Sequence, residues 1–257
     1  MYWEVHQTGP MLRAVVRRMV GWSERGAPVR RLEPATTTTP VILMLGPRIA
    51  IDGELLGSFA AGPYLRPVVT EHRGEQEGIQ IDLEPLGARR LLRMPMTELA
   101  GCCVLLENLV GDDLTDYVAD APTWAERFAR TERLLERRML DAPSTRPEVE
   151  WAVSRICASG GRVKVESLAR ELGWSRRHLG DQLRDAVGLS PKRLARLVRF
   201  ERVLDGLRAG SELADIAYDA GYADQPHLNR DFRAFTGLTP TEYVRRLDDP
   251  ALVGVAA

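Results

Sequence analysis

Polar side chains that can bind nucleic-acid bases recur in two segments of the C-terminal half of the chain. Arg176 and Arg177 stand in the first segment, and Gln225, Asn229 and Arg230 stand in the second. Arginine donates two parallel hydrogen bonds to guanine, and glutamine or asparagine pairs in a similar way with adenine. The two segments therefore carry the chemistry for reading base edges, although a polar helix face is also typical of any solvated surface.

A second set of side chains suits contact with phosphate. A helix start presents free backbone N–H groups to anions, and Ser175 stands directly before the first polar segment. Basic side chains near the predicted recognition helices add positive charge for the nucleic-acid backbone. The positions predicted to contact phosphate are Ser175, Lys192, Arg193 and Arg233. A plain solvated surface is the alternative for the basic members of this set.

Both polar segments belong to an internal repeat. LARELGWSRRHLGDQLRDAVGLSP (168–191) aligns with IAYDAGYADQPHLNRDFRAFTGLTP (216–240), with one extra residue in the second turn. Each unit predicts a short helix, a turn led by Gly173 or Gly221, and a second helix, which is helix-turn-helix geometry. The residues predicted to form the apolar core of the two units are Leu168, Leu172, Leu179, Leu183, Ile216, Leu228 and Phe232.

A long helix is predicted between the two units, over 190–207. Ser190 suits the N-cap of this helix and Pro191 suits its first position. A rigid connecting helix would hold two recognition helices on one face of DNA, about 34 Å apart, which is one turn of the duplex. One chain could then read a site that is not palindromic.

Charge divides the chain at a proline-containing break. The whole chain carries 35 basic and 36 acidic residues, and this balance alone argues against a nucleic-acid partner. Residues 151–247, however, carry 17 basic and 12 acidic residues, whereas 1–150 carry 18 and 22. The DAPSTRP segment (141–147) between them predicts a linker. A basic module is therefore expected beside an acidic one.

Short apolar runs separated by glycine and proline predict strands in the first hundred residues. In GIQIDLEP (78–85) apolar and polar residues alternate, as in a strand with one buried face. We therefore expect an α+β domain with a small β-barrel or sandwich over 1–112. Its aromatic residues could line an effector pocket or form ordinary core, and they include Trp3, Trp22, Phe59 and Tyr64.

The segment 113–147 is expected to be a helical linker or a dimerisation segment. Within it, Thr123 and Glu126 have the spacing of a capping box at the start of a helix that runs to about residue 140. An apolar stripe follows one face of this helix, and it predicts either core packing or a subunit interface. The stripe consists of Trp124, Phe128, Leu135 and Met139.

Few residues suit catalysis or metal binding, so we expect no enzyme, no metal and no cofactor. His178 and His227 occupy equivalent places in the repeat, which favours a structural or DNA-facing role. His72 with Glu71 and Glu75 could bind a metal, but an exposed loop between strands is the simpler expectation. The sequence contains none of the short strings typical of zinc hydrolases or phosphate loops.

Membrane and secreted classes are not favoured by the sequence. Apolar runs stay far below the about 18 residues of a spanning helix, and charged residues interrupt the N-terminal segment. The three cysteines fit neither a disulfide framework nor a zinc-ligand spacing. We therefore expect a cytoplasmic protein with no membrane partner.

The arrangement of 151–247 resembles the AraC/XylS family of bacterial transcription regulators. GWSRRHL, GLSP, the connecting helix and IAYDAGYADQPHLNRDFRAFTGLTPTEY carry the resemblance. It implies an all-α DNA-binding domain over about 150–247, with recognition helices that match 176–182 and 225–233. Gly180 and Asp181 depart from the family, whose members often have a longer polar residue and a basic residue there, and this weakens the expected base reading by the first unit.

The same resemblance implies partners beyond the DNA-binding domain. The N-terminal part resembles, more weakly, the β-rich effector-binding domain of such regulators. The implied partners are double-stranded promoter DNA, a small-molecule effector, a second copy of the chain and, for an activator, RNA polymerase. An alternative is a small β-barrel sensor or enzyme whose C-terminal helices mediate protein contact, and salt-dependent DNA binding would distinguish the two.

Overall fold

Strands come first along the chain and helices dominate after them. The computed structural model describes residues 2–110 and 113–246. Its strands are β1 (Tyr2–His6), β2 (Val16–Arg25), β3 (Val29–Glu33), β4 (Thr39–Met44), β5 (Ile49–Ile51), β6 (Glu54–Leu56), β7 (Phe59–Ala61), β8 (Val68–His72), β9 (Glu75–Leu83) and β10 (Cys103–Leu105). They pair antiparallel in two sheets, sheet A with the order β1-β2-β9-β4-β7-β10 and sheet B with the order β3-β8-β5-β6. The expected small β-barrel or sandwich is confirmed.

Strand β9 lies at the centre of sheet A, between β2 and β4. Ile79, Ile81 and Leu83 are at most 1% exposed and face the helices that cover the sheet. The other face of β9 is also covered, since Asp82 is only 6% exposed and accepts a 2.6 Å hydrogen bond from Arg18. The expectation of one buried face is therefore corrected: the alternation separates an apolar face from a buried polar face.

The structure also shows where the aromatic residues of the N-terminal half and His72 lie. Trp22 and Phe59 pack in the apolar core between the sheets with Tyr64 against them, whereas Trp3 is exposed. His72 is not in an exposed loop, because it ends β8 and is buried 3.2 Å from Glu24. Burial lowers the pKa of His72, and positive charge from Arg31 lowers it further, although Glu24 acts in the opposite sense.

The helices of the N-terminal half are α1 (Pro85–Leu92), α2 (Met96–Leu99), α3 (Glu107–Val110), α4 (Asp113–Ala119) and α5 (Trp124–Leu140). The apolar stripe of α5 packs on sheet A, and the fully buried Phe128 lies over Gly21 of β2. The capping box is only half formed. Thr123 accepts a hydrogen bond from the Glu126 N–H, but the Glu126 carboxylate binds Arg130 and Arg133 instead.

The C-terminal half is helical and consists of α6 (Pro147–Ala158), α7 (Val165–Glu171), α8 (Arg176–Val187), α9 (Pro191–Arg208), α10 (Leu213–Asp219), α11 (Gln225–Thr236) and α12 (Pro240–Arg245). Helix α9 is the predicted connecting helix, and Ser190 caps it by accepting a hydrogen bond from the Arg193 N–H. Residues 141–146 join α5 to α6, where the linker was expected. Residue 247, the end of the expected DNA-binding domain, lies outside the described residues, as do 1, 111 and 112 of the expected N-terminal domain. Within 2–110 and 113–246, no helix combines the length and hydropathy of a membrane span.

Candidate nucleic-acid interface

The two helix-turn-helix units begin and end their second helices in the same way. Ser175 accepts a hydrogen bond from the His178 N–H at the start of α8, and Asp224 accepts one from His227 at the start of α11. Each helix has twelve residues and ends at a left-handed glycine, with φ of 73° in α8 and 74° in α11. The sequence repeat therefore repeats the residues that cap each helix at both ends, and this gives both helices the same length.

Each turn also repeats an aromatic contact that sequence reasoning missed. The Trp174 ring meets the His178 ring edge-on with centroids 4.6 Å apart, and Tyr222 meets His227 in the same way at 5.1 Å. The signal was an aromatic residue directly after the turn glycine in both units. The two histidines thus pack against the turns at the starts of α8 and α11, while His178 also stays exposed.

The five predicted base-contacting residues lie on α8 and α11, but they are not equally accessible. Gln225 and Arg230 are exposed, and the Arg177 side chain is 94% exposed. Arg176 is exposed and pairs at 3.2 Å with Glu166 of α7. Asn229 is half-buried, and its Oδ1 atom is enclosed without a hydrogen-bond partner. The outer surfaces of both helices therefore present donors, with Asn229 the most recessed.

The exposed face of α8 differs from that of α11 at the position where Asp181 aligns with Arg230. The Asp181 carboxylate accepts a 2.7 Å hydrogen bond from Arg184, and Arg177 lies 4.0 Å away. A Cβ at Gly180 would lie 3.6 Å from the Arg184 guanidinium, which is ordinary van der Waals contact, so this pairing does not depend on the glycine. The first recognition helix thus carries an acceptor between two arginines, and Arg184 is a member of this face that sequence reasoning did not identify.

The positions predicted to contact phosphate border these faces. Lys192 and Arg193 are exposed in the first turn of α9, Arg233 is exposed on α11, and Ser175 uses its hydroxyl as the N-cap of α8. Arg196 lies one turn further along α9 and does not point to solvent alone, because it donates a 2.6 Å hydrogen bond to the buried Asp231. This bond raises the pKa of Arg196, so the side chain is a fixed structural cation.

A common apolar core supports the two units. Of the residues predicted for it, Leu172 is half-buried and the others are buried, namely Leu168, Leu179, Leu183, Ile216, Leu228 and Phe232. Helix α9 contributes to the same core, where the Phe200 ring meets the Phe232 ring edge-on at 5.5 Å. The connecting helix is therefore fixed to both units rather than acting as a flexible tether.

The N-terminal half contacts both units and α9. The Glu201 carboxylate of α9 accepts hydrogen bonds from the backbone N–H of Thr37 at 2.7 Å and from the hydroxyl of Thr36 at 2.9 Å. The Ala35 N–H donates to the backbone oxygen of Phe235, the residue before the last of α11, at 3.0 Å.

At the other unit, the C-terminal end of α8 meets α1 and α2. Arg89 of α1 forms an ion pair with Asp185 of α8, and the backbone oxygen of Met96 lies 2.9 Å from where a Cβ of Gly188 would be. Any side chain at Gly188 would therefore collide with α2, in addition to straining the left-handed backbone. The N-terminal half thus positions both recognition helices.

Comparisons with known proteins agree with this geometry. Residues 168–246 match the family described as a helix-turn-helix domain. Among solved structures, ToxT from Vibrio cholerae in the P21 form is 11% identical with a TM-score of 0.54, and the match covers 90% of this chain and 99% of that chain. ToxT from strain SCE256 with a bound unsaturated fatty acid is 11% identical with a TM-score of 0.50, covering 91% and 98%.

The C-terminal domain of AraT, a response regulator from Geobacillus stearothermophilus, is 25% identical with a TM-score of 0.38, and the match covers 40% of this chain and 88% of that chain. No curated protein matches the chain. The family match rests on the two units described above, and ToxT shares the arrangement of a β-rich N-terminal part before a helical C-terminal part. This chain therefore has a β-rich N-terminal part and a C-terminal part that matches a helix-turn-helix domain over 168–246, in a fold that it shares with ToxT.

Proposed function

We propose that this protein is a sequence-specific transcription regulator in which α8 and α11 enter successive major grooves of one promoter site. The observation that carries the proposal is the matched pair of units on one connecting helix, with the same caps, helix lengths and ring contacts. Helix α9 has 18 residues and is therefore about 27 Å long. This length is comparable to the spacing of about 34 Å between successive grooves on one face of DNA.

Base reading is assigned to the accessible donors of each helix. Arg230 and Gln225 present donors from α11, and Arg176 and Arg177 present them from α8. Asn229 would contribute once its half-buried amide turns toward the groove. The exposed Lys192, Arg193 and Arg233, with the N-terminus of α8 at Ser175, are proposed to hold the phosphates on either side.

The test is selection of bound sequences from random DNA with the full chain. We expect a site in two parts, with centres about 10 base pairs apart. Arg230→Ala should relax the preference in one part and Arg176→Ala in the other. Arg137→Ala, which removes an exposed arginine from α5, is the matched control and should leave both parts unchanged. A single undivided site, or Arg230→Ala with unaltered affinity and preference, would overturn the proposal.

Phosphate contacts have a different signature. Lys192→Ala should weaken binding to all sequences alike and reduce the slope of log affinity against log salt by about one. A complete lack of salt-dependent binding to DNA would favour the alternative of a sensor whose C-terminal helices contact protein.

We further propose that the N-terminal domain modulates DNA binding in response to a small molecule or a partner. Support comes from its contacts with both units, through Asp185 on α8 and the backbone oxygen of Phe235 on α11, because a rearrangement there would reach both recognition helices. ToxT, which shares the fold, has been solved with an unsaturated fatty acid. A second copy of the chain and RNA polymerase remain predictions from the family resemblance.

A further inference from the structure

We infer that Arg162 is a positioning residue that sets the spacing between the two parts of the DNA site. It lies in the loop between α6 and α7, directly before the first helix-turn-helix unit, and it contacts the turn of the second unit. The inference rests on the proposed function, because it states which residue makes the two recognition helices act at one fixed separation.

The loop that carries Arg162 is held by its own hydrogen bonds. The Ser159 hydroxyl accepts a hydrogen bond from the Val163 N–H at 3.2 Å and donates one to the backbone oxygen of Ile156 at 2.9 Å. The Nε atom of Arg162 donates to the backbone oxygen of Ser159 at 3.1 Å. These bonds tie the loop to the end of α6, so the side chain of Arg162 starts from a fixed backbone.

The same loop lies directly on the connecting helix. A Cβ atom at Gly161 would collide with the backbone oxygen of Ala195 in α9, and one at Gly160 would collide with the guanidinium of Arg202. Both glycines have left-handed backbones, with φ of 73° at Gly161 and 61° at Gly160. Because glycine alone combines this backbone with so close an approach, the loop can pack along about two turns of α9.

Arg162 reaches from this loop to the second unit. Its Nη1 atom donates a 3.2 Å hydrogen bond to the backbone oxygen of Asp219, the last residue of α10. The last carbonyl groups of a helix lack partners within the helix, and they favour a cation. The aliphatic part of Arg162 also covers the turn, because a Cβ at Gly221 would lie 2.9 Å from its Cγ and Cδ atoms. Arg162 therefore caps α10 and fills the space beside the turn glycine.

The turn of the first unit differs at the matching glycine. Gly173 aligns with Gly221, and among the described residues no atom beyond its chain neighbours lies within 4 Å of a Cβ placed there. The turn of the first unit is thus open at this glycine, whereas that of the second unit is covered by Arg162. A contact present at one of two otherwise matched turns indicates a role in joining the units rather than in forming the turn.

The covered turn leads directly to the second recognition helix. Tyr222 follows Gly221, and its ring meets the His227 ring edge-on at the start of α11. Near its middle, α11 is held by the hydrogen bond from Arg196 to Asp231. A helix held at one point can pivot about it, whereas contacts at its middle and its start fix its direction. Loss of the contact at the turn therefore loosens the start of α11 and alters its separation from α8.

The first test measures this loosening without DNA, by hydrogen exchange of the full chain with mass spectrometry. In Arg162→Ala, peptides covering 217–224 should exchange about three- to tenfold faster than in the wild type, the factor that one typical hydrogen bond contributes. Peptides covering 169–176, at the open turn, should be unchanged. Arg155→Ala is the control, because it removes an exposed arginine of α6 whose ring contact is with Trp151 of the same helix. Unaltered exchange over 217–224 in Arg162→Ala would overturn the inference.

The second test measures the spacing preference on DNA. The site selected by the wild type is rebuilt with one or two base pairs added or removed between its parts, and each base pair changes their separation by about 3.4 Å and their rotation by about 35°. The wild type and Arg155→Ala should bind the original spacing at least about tenfold more tightly than the altered ones. Arg162→Ala should reduce this ratio about three- to tenfold without altering the base preference within each part.

Arg162→Lys keeps a cation and most of the aliphatic chain, so it should retain most of the spacing preference. An equal loss of affinity at every spacing in Arg162→Ala would show that the residue stabilises the domain without setting the spacing, and this would also overturn the inference.

A matched pair of glycine variants tests the same contact with Arg162 in place. Gly173→Ala and Gly221→Ala put the same methyl group on left-handed backbones, with φ of 66° and 77°, so they carry similar strain. Gly221→Ala also displaces Arg162 and should flatten the spacing preference, whereas Gly173→Ala should keep it. The same preference in both variants would refute the inference. A wild type that selects no two-part site refutes the proposed function, whereas a two-part site with an unaltered preference in Arg162→Ala refutes this inference alone.

Discussion

Replacement of Glu201 tests how firmly the N-terminal domain is held against the DNA-binding domain. Glu201 lies on α9, in the C-terminal domain, and its side chain is 22% exposed. Its carboxylate accepts hydrogen bonds from the Thr37 N–H at 2.7 Å, from the Thr37 hydroxyl at 2.8 Å and from the Thr36 hydroxyl at 2.9 Å. Arg17 adds a weaker contact at 3.5 Å. Glu201→Ala removes the acceptor for all these donors at once.

The expected loss of stability depends on whether the donors that Glu201 satisfies find other partners. A hydrogen bond to a charged group contributes about 1.5–3 kcal/mol, and bonds to one carboxylate are not additive. Arg17 keeps its ion pair with Glu84 at 3.0 Å, so its charge is not left alone. The partial exposure of Glu201 also lets water reach some of the abandoned donors. We therefore expect Glu201→Ala to reduce the free energy of unfolding by about 2–3 kcal/mol.

Urea unfolding of the full chain, followed by tryptophan fluorescence, measures this loss. A shift of the midpoint of about 1 M is expected, given a typical slope of about 2–3 kcal/mol per M. Because the lost bonds join the two domains, the single transition should also broaden or divide into two. Glu201→Gln keeps an acceptor and should lose less.

Glu171→Ala is the matched control, because Glu171 is exposed at the end of α7 in the same domain. Its free energy of unfolding should stay within about 0.5 kcal/mol of the wild type. If Glu201→Ala behaved like Glu171→Ala, the carboxylate would not anchor the domains and the reasoning from its hydrogen bonds would be refuted.

Three further predictions concern single residues. Asp181→Asn should change the base preference in the first part of the selected site alone, because a carboxylate accepts from cytosine N4 whereas an amide suits adenine; an unaltered selected sequence would contradict this. Arg196→Ala should destabilise the protein by about 3 kcal/mol in thermal unfolding, since it leaves the buried Asp231 with only the His227 ring at 4.0 Å, and a loss below about 1 kcal/mol would count against it. The pKa of His72 is lowered in the fold, so the unfolded chain binds the proton first and wild-type stability falls as pH drops below about 6.5; His72→Gln should flatten this fall, and parallel curves for the two proteins would exclude His72 as its source.

Local chemistry explains why the sequence predicts the helix-turn-helix units. Ser175 and Ser190 cap helices within four residues of themselves, and Gly173, Gly188 and Gly237 adopt left-handed backbones that few other residues tolerate. Such signals are complete within a short stretch of sequence. Because the repeat presents them twice, the amino-acid order alone is enough to predict two units of the same design.

Contacts between distant segments could not be predicted in this way. Arg196 stands in a basic segment that suggests an exposed side chain, and nothing in its neighbourhood shows that Asp231, 35 residues away, holds it. The alternation in β9 predicts the strand but not that its polar face is covered, where Asp82 pairs with Arg18. Spacing along the chain gives the period of an element and leaves open what packs on each face.

The division of charge also gains a physical meaning from the domain contacts. In the part of the chain that the structure describes, two ion pairs join the domains, Asp185 with Arg89 and Glu201 with Arg17. In both pairs the carboxylate belongs to the DNA-binding domain and the arginine to the N-terminal domain. Residues 151–246 carry 17 basic and 12 acidic residues. The contact between the domains pairs two of these twelve carboxylates with arginine, and the other ten are not part of it. Docking of the N-terminal domain therefore neutralises two carboxylates of the C-terminal domain locally, at Asp185 and Glu201. We expect separation of the domains to uncover both carboxylates and so to change salt-dependent DNA binding, which would let an effector in the N-terminal domain act without touching DNA.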